Sequence, residues 1–243
     1  MKWITCMLMF VVLTLSATAG GPLQKRLDKA AKDGAVVFLV VTEKGNSEEG
    51  KARGIANSAK SQHRQSMVLT LDRSDPSNAE LVKKWALGSV PLPVILVIAG
   101  NGVLAGGQLA TQASAATLSA MVPTRAKSQV LKELQNGNAV FLVVSTSAEA
   151  RAKAMKSCEL ACGNMGNKAK TVHIRFTDPE EQNFLKELRI SNIGEEAVTY
   201  VINSGGQVTG TFTGGTDAKT LVAAATKKVA SGCCPTGSGK SCN

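Results

Sequence analysis

Val37-Phe38-Leu39-Val40-Val41 returns as Val140-Phe141-Leu142-Val143-Val144, at a spacing of 103 (141 against 38). Each run is too rich in Val and too short for a helix, so it reads as a strand buried on both faces, which in turn calls for helices on both sides of its sheet. Asp75-Pro76 returns as Asp178-Pro179 at the same spacing, and Gly34 and Gly137 stand ahead of the two strands. Asn101-Gly102 matches Gly205-Gly206 once one residue is inserted in the second copy. A duplication supplies an internal control: agreement between the copies marks what the fold demands, and a reactive residue carried by one copy alone marks a candidate for function.

Working outward, each copy repeats one order of elements. Leu23 to Lys32 has helical spacing, with Leu23, Leu27 and Ala31 on one face, answered by Val130, Leu131 and Leu134. After the buried strand come the Ala-rich, charged stretches Glu48 to Lys60 and Ser147 to Cys162, then strands over Met67 to Leu71 and Thr171 to Phe176. Asp75 and Asp178, each followed by Pro, open short helices over Asn78 to Leu87 and Glu181 to Leu188. Hairpins turning at Asn101-Gly102 and Gly205-Gly206 follow, and closing helices span Ala113 to Met121 and Asp217 to Val229.

This order, with Gly88-Ser89-Val90-Pro91-Leu92-Pro93-Val94-Ile95-Leu96-Val97-Ile98 ahead of a glycine turn, resembles the thioredoxin-like pattern, here lacking its Cys-x-x-Cys active site. The resemblance implies an α/β fold of two tandem thioredoxin-like domains, each a mixed central sheet with helices on both faces. It also implies a cis proline at Pro93, with Val90-Pro91 as the rival bond, and peptide contact at Leu92 and Pro93 on the hairpin edge. The second copy reads Asn192-Ile193-Gly194-Glu195-Glu196-Ala197-Val198 there and has no proline.

Lys2, the apolar run Ile4 to Leu15 and the small residues Ser16-Ala17-Thr18-Ala19 read as a cleaved secretory signal. The run is too short to span a bilayer, so a soluble chain, periplasmic or extracellular after cleavage, is expected without stable membrane insertion. The expected division is a signal peptide over 1–19, a first domain without cysteine over 20–122, a second domain over 123–230, and a flexible cysteine-rich tail over 231–243. The chain is 44% hydrophobic, enough for two cores, and only 4% aromatic. Its net charge of +10 is scattered over helical segments without interleaved aromatics, which argues against nucleic acid as a partner.

In catalytic relatives of this pattern the buried strand runs into Cys-x-x-Cys at a helix N-terminus, where the dipole lowers the thiol pKa. Here those places read Thr42-Glu43-Lys44-Gly45-Asn46-Ser47 and Ser145-Thr146-Ser147-Ala148. Thiol-disulfide exchange at the usual site is therefore excluded for both copies. Thr42, Ser47, Ser145 and Ser147 are expected to be helix caps, as no histidine or carboxylate is placed by sequence to activate them.

The cysteines beyond the signal are Cys158, Cys162, Cys233, Cys234 and Cys242, all in the last third and an odd number. Cys158 and Cys162 share one helix face, and subtracting 103 sets them against the apolar Ile55 and Ala59, so one reading is two small buried hydrophobes, against which stands export, where unpaired thiols oxidise. Their spacing resembles the copper motif of Sco-type thioredoxin-like proteins, but Cys158 lies 14 residues past Val144 (158 against 144), at the far end of the helix, and the copper function is not carried over. In thioredoxin-like folds this helix and the last one pack on the same sheet face, so the resemblance implies that the tail, rich in Gly and Ser and reaching up to about 14 Å over the four residues from Val229 to Cys233, doubles back on Cys158 and Cys162.

Three fates stay open for the cluster: structural disulfides or partner linkage, a copper or zinc thiolate site, and a redox-active tail. The expected function is accordingly an exported, non-catalytic binding or structural module with protein or peptide partners. A soft-metal thiolate protein and an atypical oxidoreductase are the alternatives. His63 is expected at the surface, and His173 on a strand is expected to be a packed or surface group, with completion of a thiolate metal site as the alternative.

Overall fold

The computed structural model describes residues 21–228. The segment expected to be a signal peptide, residues 1–19, and the expected tail with Cys233, Cys234 and Cys242 lie outside the described residues.

The first copy runs α1 (Pro22–Lys32), β1 (Val36–Thr42), α2 (Glu49–Lys60), β2 (Ser66–Asp72), α3 (Ala79–Lys84), β3 (Val94–Ile98), β4 (Leu104–Leu109) and α4 (Ala115–Ala120). The second repeats it as α5 (Arg125–Gln135), β5 (Ala139–Ser145), α6 (Ala148–Asn164), β6 (Ala169–Arg175), α7 (Gln182–Glu187), β7 (Val198–Ile202), β8 (Val208–Thr213) and α8 (Ala218–Ala225). The sheets are ordered β2-β1-β3-β4 and β6-β5-β7-β8. In each, the first pair is parallel and the other two antiparallel, so both are mixed sheets with the thioredoxin-like topology.

Alternation along the central strands sorts the helices. Val37, Leu39 and Val41 pack with α1 and α3 residues such as Leu23, Leu27 and Leu81. Phe38 and Val40 point the other way, onto Ala52, Ala56 and Ala59 of α2 and Leu118 of α4. The second copy repeats this division, with Val140, Leu142 and Val144 facing α5 and α7, and Phe141 and Val143 facing α6 and α8. Small residues on α2 and α6 let those helices sit close over the two phenylalanines, both fully buried. Even the irregularities recur, since both hairpins slip register at equivalent places, Val97/Ile98 and Val201/Ile202.

The short helices differ from the sequence reading. Asn78 to Leu87 and Glu181 to Leu188 are predicted as continuous helices, but each begins as a single 3-10 turn on its Pro, and α3 and α7 are six residues long. The Asp75 and Asp178 carboxylates accept from the backbone N–H of Ser77 (2.8 Å) and Glu180 (3.0 Å), which holds the tight turn at each start. On α1 the buried face is Leu23, Leu27 and Ala30, one position away from the predicted Ala31.

The two copies meet through the first hairpin. Asn101 Nδ2 donates to Ser128 O at 2.7 Å, and Gln135 Nε2 donates to Leu104 O at 2.7 Å, so α5 touches the turn region of the preceding sheet.

Helices α1 and α5 end alike. Ala35 N–H donates to Ala30 O (2.8 Å) and Gly34 N–H to Ala31 O, while Asn138 N–H donates to Glu133 O (2.9 Å) and Gly137 N–H to Leu134 O. These are paired Schellman motifs, with Gly34 at φ 69° and Gly137 at φ 77°. A Cβ on Gly137 would meet nothing within 4 Å, so only backbone strain opposes one. Gly137→Ala is expected to destabilise the protein by about 1 kcal/mol with unchanged far-ultraviolet dichroism, as read from urea midpoints.

Candidate functional site

In the first copy, β1 ends at the buried Thr42 and the chain turns through Glu43 to Asn46 before α2 begins. Arg73, one residue past β2, fastens the facing loop: its guanidinium donates to Glu43 Oε1 (2.7 Å), Leu87 O (3.0 Å) and Val90 O (2.8 Å). Beyond Val90 the Leu92-Pro93 bond is cis, and Pro93 O accepts from Ala110 N–H at 2.9 Å. Pro93 is buried and Leu92 half-buried. Among the described residues no backbone hydrogen bond engages the N–H or C=O of Leu92, so this residue offers one donor and one acceptor beside the end of β1.

In the second copy Ala197 takes the place of Pro93, its carbonyl accepting from Gly214 N–H at 2.8 Å. Helix α6 begins next to it, with Ser147 Oγ accepting from Ala150 N–H at 3.2 Å. Between Ser147, Ala150 and Lys153 on one side and Glu195, Glu196 and Gly214 on the other lies a cleft of about 320 Å³. Of the four hydroxyl residues expected as caps, Ser147 alone is seen capping a helix. Thr42 Oγ1 instead donates to Glu43 O. Ser145, 2% exposed, lies 2.9 Å through Oγ from His173 Nε2.

That pair went unseen in the sequence because it rests on strand register. Val143 pairs with His173 in the parallel β5/β6 ladder, so Ser145, two residues on, projects from the same face. Burial, then the charges of Arg151 and Arg175, hold the imidazole pKa below its ordinary value. His63 also differs from expectation: it is half-buried, its ring 5.9 Å from that of Phe38.

The thiols sit elsewhere. Cys158 and Cys162 lie in the C-terminal half of α6, on the side packed against α8. Subtracting 103 misplaces them. The buried residues Ala52, Ala56 and Ala59 of α2 match Ala154, Cys158 and Ala161 of α6 at a spacing of 102 (158 against 56), so Cys158 replaces Ala56 and not Ile55. The buried face of the copy-two helix thus stands one residue early relative to its strands, and the connector from α6 to β6, where Asn167 takes φ 62°, restores the spacing of 103.

Cys158 is fully buried, and burial pushes its thiol pKa up to about 12, with Thr199 acting weakly the other way. Cys162 is half-buried, its Sγ 3.7 Å from Thr171 Oγ1, and burial raises its pKa as well. Neither thiol forms a disulfide among the described residues. No group of three or more His, Cys, Asp or Glu is arranged to hold a metal ion among the described residues either. The expected copper or zinc set drew on Cys233, Cys234 and Cys242, which lie outside them. Among the described residues no helix is long and apolar enough to cross a membrane.

No family model matches the chain, and no curated protein matches it. Among solved structures it is similar to the zinc-bound form of human ERp44 at 9% identity and a TM-score of 0.36, covering 80% of this chain and 55% of that one. The chain thus spans about half the length of the ERp44 structure. It is similar to the first two thioredoxin domains of Naumovozyma dairenensis Eps1p at 9% identity and a TM-score of 0.30, covering 85% of this chain and 95% of that one. A third similarity is to the N-terminal domain of the alkylhydroperoxide reductase AhpF from Enterococcus faecalis, at 11% identity and a TM-score of 0.28, covering 84% and 97% of the two chains.

Proposed function

We propose that this chain is an exported tandem thioredoxin-like module that binds extended polypeptide at Leu92 and Pro93 and performs no thiol-disulfide exchange at the usual site. The observation that carries the reading is chemical. The carboxyl ends of β1 and β5 carry Thr42 and Ser145, while the described thiols lie far along α6, one of them fully buried. A thiol pKa near 12 leaves almost no thiolate at neutral pH, and the thiolate is the nucleophile. Arg73 supports the binding half of the reading by anchoring the loop ahead of Leu92 at two carbonyls, so the free backbone groups of Leu92 are held for strand-like pairing with a partner.

Thiol accessibility checks the first half. At pH 8 iodoacetamide is expected to modify Cys162 well before Cys158, and Cys158 is expected to react only on addition of denaturant, as read by peptide mass mapping. The raised pKa also has a sign for stability. Above about pH 9 an unfolded Cys158 releases its proton while the folded one keeps it, so the native state loses this contribution as pH rises toward 12. Cys158→Ala is expected to remove that loss from the alkaline limb of the stability profile.

Binding is tested with reduced, carboxymethylated lactalbumin, an unfolded chain without free thiols. Saturable binding weakened about tenfold or more in Leu92→Asp, with insulin disulfides left at the uncatalysed rate of reduction, is the expected result. Insulin turnover that disappears in Cys162→Ser would sink the non-catalytic reading. Equal binding by the wild type and Leu92→Asp would sink the assigned contact site. Export predicts a mature N-terminus at Gly20, readable by intact mass of the secreted protein; retention of Met1 overturns it.

A further inference from the structure

The β6 edge of the second sheet carries a cluster that the module reading leaves unused. Arg125 at the start of α5, Arg151 in α6, His173 and Arg175 on β6, and Asp178 and Glu181 beyond it line a cleft of about 520 Å³. That volume is within the range of small-ligand sites. Among the described residues, none of the three guanidinium groups makes an ion pair or a side-chain hydrogen bond.

The two carboxylates are already engaged with backbone. Asp178 Oδ1 accepts from Glu180 N–H at 3.0 Å, and Glu181 Oε1 accepts from Ala126 N–H at 2.8 Å. Glu181 is 5% exposed, yet its Oε2 has no hydrogen-bond partner. The wall of the cleft therefore holds one buried acceptor in need of a donor and, beside it, three exposed guanidinium groups that no carboxylate neutralises among the described residues.

The duplication shows that the fold does not demand this cluster. At the positions of His173 and Arg175 the first copy has Thr70 and Asp72, and at that of Arg125 it has Pro22. On the helix spacing of 102, Arg151 faces Glu49. Asp72 spends its carboxylate on Ser74, accepting from the backbone N–H at 2.9 Å and from Oγ at 2.6 Å. Every cation of the cleft thus replaces a neutral or acidic residue at the equivalent place.

We propose that this cleft binds the phosphate group of a small polar molecule, with Arg151 and Arg175 as its charged donors, Arg125 flanking them, and His173, held by Ser145, closing the inner end. Guanidinium forks match the oxygens of a phosphate, and a hydroxyl or amine elsewhere on the ligand would satisfy Glu181 Oε2. The site lies in the second copy and Pro93 in the first, so its test is independent of peptide binding.

The test is isothermal titration of the full chain with inorganic phosphate, and separately with acetate, at constant ionic strength. The ring C–H resonance of His173 is followed by NMR in parallel. One phosphate per chain, a saturable shift of the His173 signal, and affinity at least about tenfold weaker in Arg151→Ala and in Arg175→Ala are expected, the loss of one charge-assisted hydrogen bond each. Arg53→Ala, an exposed arginine of α2, is expected to bind as the wild type does. Equal affinity in all four chains would show attraction to net charge alone and overturn the site. So would the absence of saturation, and tighter binding of acetate than of phosphate would overturn the phosphate assignment.

Discussion

Burial of β1 and β5 on both faces is the constraint from which the rest of the molecule follows. Every residue from Val37 to Thr42 and from Ala139 to Ser145 is buried, and each strand is hydrogen-bonded to a neighbour on either side. A strand without a solvent face has to be covered twice, so each sheet needs helices above and below it. Phe38 and Phe141 then set how near α2 and α6 approach, and the alanines opposite them are the corresponding concession in helix side-chain volume. Polar chemistry is thereby pushed to the strand ends and sheet edges, where the Leu92-Pro93 loop, the Ser145-His173 pair and the arginine cleft are all found.

Two frameworks with the same element order and sheet topology but different residues at those edges separate what holds the fold from what does not. The Schellman ends at Gly34 and Gly137, the Asp-Pro turns and the hairpin slips occur twice, so they belong to the framework. Arg73 with Glu43 belongs to the first copy, where Phe176 stands at the equivalent place in the second. The first copy therefore has a cation fixed into its loop, whereas the second has its arginines unpaired among the described residues. The same scaffold presents a backbone edge anchored by Arg73 in one half and an arginine-lined cleft in the other.

Much of the fold was legible in the sequence because burial on both faces leaves a mark that needs no partner to interpret: a continuous run of Val, Leu and Phe, repeated. Glycine and Asp-Pro punctuation marked helix ends and starts for the same local reason. What stayed hidden was relational. Ser145 and His173 are 28 residues apart and meet only through the parallel register of β5 with β6. The arginine cleft draws its three arginines one each from α5, α6 and β6, and no spacing along the chain announces it. A single subtraction of 103 aligned the strands correctly and the helix wrongly, since helix register is set by which side chains reach the sheet and a one-residue change in a connector shifts it.

That one-residue shift governs the thiols. At a spacing of 103 Cys158 would stand in the half-buried place of Ile55, with its sulfur open to chemistry; at 102 it stands in the fully buried place of Ala56. A position that takes Ala in one copy and Cys in the other is being used for its small volume, and the same desolvation that makes cysteine acceptable there raises its pKa toward 12 and removes its reactivity. Cys162, one turn on, is partly open and keeps only a weak contact with Thr171. Two cysteines that share one helix face thus differ in depth, Cys158 serving as core and Cys162 left at its margin.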